Sequence, residues 1–423
     1  MAEKLGFGPD IENRIISLCI KDTQFFLDIH EYLKGNHFVK EEYGKAYAFI
    51  QLYFDKWHSI PSLDIIKREL TNYGIDVDNL EHKDDNTLHR DYLLEETVNL
   101  IRHQEMKKFI LKAATEVDSK DSNFEKLEEE LRAVISIQPS SNLGTFYFDV
   151  DERYAKIRNI NTDRFPTGIP SVDRALNGGL GKKELVCFAA VAGAGKSYML
   201  AITGSNLITK GYNVVHYTLE MSEEITSLRY DNAIMNKTTD ELLNDVAAVK
   251  EKLATLQKLR QNNLVIKEYP TKGASVSTIR AHLNKLKEQK SFIPDVVIID
   301  YGDIMRGSRN FTNRYEEQGA IFQEMRGLAQ EFDIPVLTAT QANRGAVSKD
   351  VAGMEDLGDS FDKARIMDAL FFILQKPEEK EDEIFRLYDA KVRNGRSGKI
   401  TGYEINYAKA SIKEIGEVER EDV

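Results

Sequence analysis

The sequence has little cysteine and tryptophan and no long hydrophobic run. It contains 2 cysteines and 1 tryptophan in 423 residues. Cys19 and Cys187 lie far apart in apolar runs, so we expect two core thiols and neither a disulfide framework nor a zinc site. No apolar stretch approaches membrane-spanning length, and the N-terminus lacks the apolar core of a signal peptide. These absences predict a cytoplasmic protein with no membrane partner.

The sequence also lacks an excess of basic residues. Its 57 Lys and Arg residues and 69 Asp and Glu residues give a formal net charge of -12. Such a chain does not coat nucleic acid with its whole surface, although a few basic loops suffice to meet DNA inside a channel. Its length predicts two or three domains.

Three regions differ in their apolar periodicity. Residues 1–137 carry apolar residues at helical spacing, which predicts a smaller all-α N-terminal domain with Trp57 in its core. Residues 138–163 have the composition of a linker, and the amphipathic segment 146–157 must bury its apolar face on its own chain or on a neighbouring subunit. In residues 164–423 apolar strands alternate with helices, which predicts a doubly wound α/β domain.

The α/β region ends in strand-like segments that follow one another closely. They are too near in sequence for long helices between them, so we expect an antiparallel extension of a parallel core. These segments are residues 369–374, 384–390 and 400–406.

A glycine-rich segment lies between a predicted buried strand and a predicted helix. Residues 190–197 read Ala-Val-Ala-Gly-Ala-Gly-Lys-Ser, which matches the phosphate-binding loop except that Ala190 replaces its first glycine. Gly193 and Gly195 allow the backbone N–H groups to point inward, where the helix N-terminus also favours phosphate. Lys196 is expected to reach the β- and γ-phosphates, and the Ser197 hydroxyl to bind magnesium. The predicted nucleotide-binding residues are Ala190, Gly193, Ala194, Gly195, Lys196, Ser197 and Asp300.

Other strand ends carry residues with suitable chemistry. Asp300 ends a very hydrophobic strand, where a carboxylate can hold the magnesium shell. Glu220 is a candidate base for the attacking water, although acidic residues there also suit a helix start. Gln341 is a candidate γ-phosphate sensor or a polar loop residue. Lys391 and Arg393 form a basic tip without a local partner, which suits a solvated hairpin or an arginine finger inserted into another subunit.

Taken in order, these motifs resemble the DnaB family of replicative helicases. That family shares the alanine at the first loop position, and the helical front resembles its N-terminal domain. Residues 58–62 and 267–273 are closer to the T-even branch of tailed phages. The motifs are Ala190 to Ser197, Thr218-Leu-Glu-Met-Ser222, Ile298-Ile-Asp-Tyr301, Thr340-Gln-Ala-Asn-Arg344 and Lys391-Val-Arg-Asn-Gly395.

The resemblance implies a RecA-like P-loop ATPase domain that uses ATP and Mg2+. Glu220 would be the catalytic base, and Gln341 would couple the γ-phosphate to the DNA loops. Arg393, with Lys391 beside it, would be the finger for the adjacent subunit. The family forms homohexameric rings that move 5′ to 3′ on single-stranded DNA and unwind forked duplex, with a primase and a helicase loader as partners. The segment 146–157 would dock on the next subunit.

The predicted DNA loop departs from the family pattern. The family reads Asp-Leu-Arg-Glu-Ser-Gly where this chain has Asp-Leu-Gly-Asp-Ser-Phe at residues 356–361, so no side chain at Gly358 can contact phosphate. Backbone N–H groups near Gly358, Asp359 and Ser360 are the expected substitute. For Arg306, Arg309 and Arg314 the alternative is a solvated loop. The candidates for added positive charge are Arg306, Arg309, Arg314, Arg344 and Lys349.

Two other functions remain as alternatives. A RadA- or KaiC-like RecA-fold ATPase acting in recombination would also carry residues 167–173 and 177–180, but the helical front and the lack of a zinc-binding cysteine cluster favour the helicase. A nucleotide-gated ring that recruits primase without unwinding DNA is the other. A scaffold of that kind needs neither Glu220 nor Arg393.

Overall fold

The computed structural model divides the chain into two units, Met1–Phe146 and Tyr147–Val423. The residues that the structure describes are 9–72, 90–117, 124–135, 137, 145–260, 263–308, 311–343, 345–346, 349, 351–353, 356–357 and 361–418. Part of the predicted linker, residues 138–144, lies outside them. None of the helices in the described part of the chain combines the length and the apolar character that a membrane crossing requires.

The first unit is helical, as its periodicity predicts. Its core is built from aliphatic and aromatic side chains of several helices, and Cys19 is buried among them as expected. The helices are α1 (Pro9–Lys21), α2 (Thr23–Ile29), α3 (Glu41–Trp57), α4 (Leu63–Asn72), α5 (Arg90–Val117) and α6 (Phe124–Ile135).

The prediction that Trp57 lies in the core is wrong. Its side chain is 59% exposed. Trp57 is the last residue of α3, packs against Tyr53 and lies under the Lys56 ammonium group. The core side of α3 is occupied by Ala46, Tyr47 and Ile50. Helical periodicity placed the apolar residues on α3 but did not show that Trp57 lies outside the core, whereas Phe54 in the same turn packs against it.

Gly44 allows a short turn to contact α3 directly. A Cβ atom at Gly44 would meet the carbonyl oxygen of Gly35 far inside van der Waals contact. Gly44 is buried in the first half of α3, and Gly35 begins the short 3-10 helix that precedes it. The close approach therefore fixes how this turn packs on the helix.

We expect Gly44→Ala to destabilise the first unit by about 1–3 kcal/mol, because a backbone oxygen cannot move aside as a flexible side chain would. Fluorescence of Trp57, the single tryptophan of the sequence, reports on this unit during thermal unfolding. Gly319→Ala is the control, because among the described residues no atom lies within 4 Å of a Cβ at Gly319. An unchanged Trp57 transition in Gly44→Ala would contradict the packing argument.

The second unit is an α/β domain built on a nine-stranded sheet. The strand order is β11-β10-β9-β8-β3-β7-β6-β4-β5, and β1 and β2 form a separate two-stranded sheet. The strands are β1 (Arg164–Phe165), β2 (Leu180–Gly181), β3 (Leu185–Ala190), β4 (Val214–Thr218), β5 (Leu264–Glu268), β6 (Val296–Asp300), β7 (Val336–Gln341), β8 (Ala369–Leu374), β9 (Ile384–Val392), β10 (Ile400–Asn406) and β11 (Ser411–Glu417).

Most helices of this unit lie between its strands in sequence, and several of them pack on the sheet. The predicted linker segment 146–157 corresponds to α7, which begins four residues later than expected. The helices are α7 (Val150–Thr162), α8 (Pro170–Ala175), α9 (Lys196–Lys210), α10 (Glu223–Met235), α11 (Thr239–Asn244), α12 (Val246–Arg260), α13 (Val276–Lys290), α14 (Arg314–Phe332), α15 (Phe361–Ile366) and α16 (Pro377–Glu381).

The central strands are apolar because both of their faces are covered. In β3, Leu185, Cys187 and Ala189 face one core, whereas Val186 and Phe188 face the other. The first core includes side chains of α13 and α14, and the second includes side chains of α8 and α9. A strand buried on both faces reads as a continuous apolar run, which is why sequence located it.

The antiparallel extension is predicted correctly except for its first strand. β8 pairs with β3 in parallel and so belongs to the parallel core. β9, β10 and β11 are antiparallel to their neighbours, and β11 was not predicted. The crossover from β7 to β8 passes through the short helix α15, which the spacing between the last three strands does not reveal. The carboxyl ends of the parallel strands therefore lie at one edge of the sheet. The carboxyl end of β9, which runs antiparallel to β8, lies at the opposite edge.

Candidate nucleotide site

The phosphate loop lies between β3 and α9, in the predicted strand, loop and helix context. Gly193 has φ 77° and Gly195 has φ 91°, values that glycine adopts without steric cost. A Cβ at Gly193 would meet no described atom within 4 Å, so conformation and not space requires glycine there. Ala190 ends β3, Ala194 is buried, and Lys196 begins α9. The N-terminus of α9 therefore faces the loop.

Lys196 is folded back onto this loop. Its Nζ donates to the carbonyl oxygens of Ala190 and Val191, both at 3.3 Å, and lies 5.5 Å from the centroid of the Tyr301 ring. Burial lowers the pKa of Lys196, whereas the nearby carboxylates, Glu220 first among them, act in the opposite direction. A phosphate group in the loop would replace weak carbonyl contacts with charge-assisted hydrogen bonds.

Asp300 and Ser197 form a pair of oxygen donors beside the loop. Asp300 is 2% exposed, and burial raises its pKa to about 6 despite a hydrogen bond with the Ser197 hydroxyl. Its Oδ1 has no hydrogen-bond partner among the described residues. Carboxylate and hydroxyl oxygens are suitable groups for a magnesium shell. These two residues therefore fit the predicted ion.

Glu220 and Gln341 face the same cavity as the loop. Glu220 lies two residues beyond β4, and α10 begins only at Glu223, with Ser222 as its cap. Glu220 is thus outside the first turn of that helix. Gln341 is the last residue of β7, not a residue after it. The cavity has a volume of about 400 Å3 and is lined by Ala192, Gly193, Gly195, Lys196, Ser197, Tyr198, Glu220, Met221, Arg229, Tyr301, Gln341, Lys380 and Tyr407.

Several cavity residues were not predicted from the sequence. The guanidinium group of Arg229 lies 4.1 Å from the centroid of the Tyr198 ring, and its Nη1 has no hydrogen-bond partner in the described part of the chain. Tyr407 stacks edge-on against Tyr198. These side chains come from α9, from the middle of α10 and from the residue that follows β10. No short motif marks them, because the fold alone brings them together.

A buried aspartate near the site was also missed. The side chain of Asp303 is 6% exposed and accepts hydrogen bonds from the Thr340 hydroxyl at 2.9 Å and from the Gln341 N–H group at 2.7 Å. Its Oδ1 lies 2.6 Å from Nζ of Lys363, which is 1% exposed. Asp303 lies three residues after Asp300, in a turn that sequence alone marks only as polar.

Lys391 and Arg393 lie at the opposite edge of the sheet. Val392 pairs with Ala369 at the start of β8, and β8 is parallel to β3. The length of β3 therefore separates these two residues from the phosphate loop, roughly 17 Å at about 3.3 Å per residue. Neither side chain can serve the nucleotide cavity of its own chain.

The prediction that this basic tip has no local partner is wrong. Arg393 Nη1 lies 2.6 Å from Oδ1 of Asp368, and Lys391 Nζ donates to carbonyl oxygens of Ala364 and Met367, both at 2.7 Å. Burial is the main cause of the lowered pKa of Lys391. The partners lie more than twenty positions earlier in sequence, at the end of α15, where hairpin periodicity cannot show them. Arg393 remains 38% exposed.

Few of the predicted DNA-binding residues fall in the described part of the chain. Arg309, Arg344, Gly358, Asp359 and Ser360 lie outside it. Arg306 and Arg314 are exposed. Lys349 forms an ion pair with Asp356 at 2.7 Å, so much of its charge is already offset within the chain. Its proposed role in supplying positive charge is weakened accordingly.

Comparison with known proteins gives consistent results. A family model for the DnaB-like helicase C terminal domain matches residues 165–413. The DnaB-like replicative helicase of Enterobacteria phage T4 is 24% identical over 436 aligned residues, which cover 96% of this chain and 90% of that protein. The replicative DNA helicase DnaC of Bacillus subtilis (strain 168) is 25% identical, over 65% of this chain and 64% of that protein.

Two solved structures share the fold. One, an isolated ATPase domain, superposes with a TM-score of 0.54 at 19% identity, covering 64% of this chain and 98% of that one. A structure of a DnaB-like replicative helicase, described with its interactions with primase, has a TM-score of 0.58 at 15% identity and covers 96% and 99% of the two chains. The predicted α/β domain with a helical N-terminal region is confirmed.

Proposed function

Because the chain belongs to the DnaB-like replicative helicase family, we propose that it is an ATP-dependent DNA helicase whose ATP sites form between neighbouring copies in a homohexameric ring. One observation carries the proposal. The phosphate loop and Glu220 lie at one edge of the sheet, whereas Arg393 lies at the other. A single chain therefore holds two half-sites, and only contact between copies joins them into whole ones.

The residues of the cavity divide the chemistry of ATP hydrolysis among them. Lys196 and the loop N–H groups bind the phosphates, and Ser197 and Asp300 would hold magnesium, which would offset the phosphate charge. Glu220 accepts a proton from the attacking water, and the Gln341 amide contacts the γ-phosphate. Arg393 of the next copy stabilises charge that develops in the transition state.

The proposed substrate is single-stranded DNA at a replication fork. Subunits that move relative to one another during hydrolysis would draw the strand through the ring in the 5′ to 3′ direction, as the family resemblance implies. A primase is a proposed partner, since one solved helicase of similar fold is described with its interactions with primase. A helicase loader that opens the ring is the second proposed partner. The exposed residues Arg306 and Arg314 are candidates for contact with the DNA backbone.

Strand separation tests the proposal directly. Duplexes with only a 5′ single-stranded tail or only a 3′ tail are incubated with the full chain, ATP and magnesium. We expect the duplex with the 5′ tail to be unwound by the wild type and not by Lys196→Ala, because the phosphates lose their cation. Lys210→Ala is the matched control, since Lys210 lies at the other end of α9. Unwinding from the 3′ tail would contradict the proposed polarity.

Strand separation, measured together with ATP hydrolysis, assembly and primase binding, separates the helicase from its two alternatives. DNA-stimulated ATP hydrolysis without strand separation favours a RadA- or KaiC-like ATPase. Nucleotide-dependent assembly and primase binding without DNA-stimulated hydrolysis favour a scaffold. The cavity carries Glu220, which a nucleotide-gated scaffold does not require.

A further inference from the structure

We propose that Asp303 and Lys363 form a positioning pair that connects the γ-phosphate sensor Gln341 to α15 and thereby couples DNA binding to ATP turnover. The inference rests on the proposed helicase function. It concerns two residues that contact neither nucleotide nor DNA in that proposal. Their role is to hold other groups in place.

On the nucleotide side, the carboxylate of Asp303 holds the end of β7. It accepts hydrogen bonds from the Thr340 hydroxyl at 2.9 Å and the Gln341 N–H group at 2.7 Å. The Gln341 side chain lines the nucleotide cavity. A shift of this strand end when the γ-phosphate is bound or lost would therefore move the groups that donate hydrogen bonds to Asp303.

Asp303 is itself fixed on the other side. Its carbonyl oxygen accepts a hydrogen bond of 2.8 Å from the amide of Gln318, a buried residue of α14. It also lies three residues after Asp300, the proposed magnesium-shell residue. Asp303 thus lies just beyond the end of β6 and is bonded to both β7 and α14.

On the DNA side, Lys363 connects this carboxylate to α15. Its Nζ lies 2.6 Å from Asp303 Oδ1 and 5.3 Å from the centroid of the Phe322 ring of α14. Lys363 is in the first turn of α15, whose first residue, Phe361, is the last residue of the predicted DNA loop at 356–361. A displacement of that loop by DNA would reach Asp303 through a single side chain.

Burial explains why the pair sets geometry more than stability. Desolvation offsets most of the Coulomb attraction of a buried ion pair, so an apolar pair of equal size would serve stability as well. The carboxylate is useful here because it accepts directed hydrogen bonds from three groups at once. These groups lie on β7 and α15, the two elements that must move together.

The test compares ATP turnover with and without single-stranded DNA in the assembled full-length protein. For Lys363→Met we expect the ratio of DNA-stimulated to basal turnover to fall about fivefold or more. The KM for ATP and the basal rate should stay within about twofold, because no group of the cavity is changed. Thr340→Val, which removes one donor to Asp303 without changing shape, should lower the ratio less.

Two controls separate positioning from general destabilisation. Thr338→Val removes a buried hydroxyl from the same strand, but that hydroxyl donates to the carbonyl oxygen of Ile299 and not to Asp303. The ratio of DNA-stimulated to basal turnover in Thr338→Val should therefore match that of the wild type. The double variant D303N/K363M removes the lone buried charge of K363M and should regain thermal stability without regaining DNA stimulation. Recovery of both would show that charge balance alone matters and would overturn the inference.

The remaining outcomes are also decisive. If DNA stimulates ATP turnover of Lys363→Met and Thr340→Val as strongly as that of the wild type, the positioning pair is refuted while the helicase proposal stands. An equal loss in Thr338→Val would likewise refute it. If DNA does not stimulate the wild type at all, the proposed function itself fails, and the inference fails with it.

Discussion

Replacing Arg393 with alanine should lower kcat for ATP hydrolysis about a thousandfold while ATP affinity changes little. A finger stabilises charge that develops only in the transition state, so its loss raises the barrier without weakening the ground-state complex. The structure strengthens this expectation, because Arg393 lies at the edge of the sheet away from its own phosphate loop. As a finger, it would act on the nucleotide of another copy.

Turnover and equilibrium binding of a fluorescent ATP analogue are to be measured on the same preparation. Arg396→Ala is the matched control, an exposed arginine in the same hairpin turn, and should retain wild-type turnover. Loss of ATP affinity with normal turnover per bound site would show that Arg393 is not a finger. Loss of ring assembly would instead assign the side chain to the interface itself.

Glu220→Gln should lower kcat by about 100- to 10,000-fold, the range expected when a general base is removed. Binding of ATP and of single-stranded DNA should persist, because the amide keeps the size of the carboxylate but cannot take the proton. Glu223→Gln is the control, three residues away in the first turn of α10, where it pairs with Lys267 at 3.2 Å. Normal turnover in Glu220→Gln would remove Glu220 from the mechanism.

The two inactive variants together test whether the site is shared. Each Arg393→Ala subunit keeps Glu220, and each Glu220→Gln subunit keeps Arg393. Mixed rings therefore contain some interfaces with both residues intact, and we expect turnover well above that of either variant alone. If mixing restores nothing although mixed rings form, the two residues do not meet at one interface.

Sequence predicted the parts of this protein that are local. Strands buried on both faces read as apolar runs, and the phosphate loop carries its glycines within a few positions of Lys196. Both were located correctly. Glu220 and Gln341 were predicted at strand ends, but each boundary was slightly wrong: Glu220 lies two residues beyond β4, and Gln341 is the last residue of β7.

Contacts between distant segments could not be predicted in the same way. The pairing of β8 with β3 depends on a crossover through α15, and the partners of Arg393 and Lys363 lie 25 and 60 positions away in the chain. Arg229 reaches the cavity from the second turn of a helix whose start is marked only by its cap. Such contacts are set by how elements pack, for which no short pattern exists.

The anchoring of α15 at both ends has a consequence for a whole ring. Its first turn contacts Asp303 beside the proposed nucleotide cavity. Its last carbonyls hold Lys391 and the adjoining Asp368 holds Arg393, the two residues that we propose serve the next copy. A ring of identical head-to-tail contacts has a rotational sense. A disturbance carried along α15 would pass from each site to the next in that sense alone. The order in which the subunits hydrolyse ATP would then follow the rotational sense of the ring, and a helix of six residues would determine it.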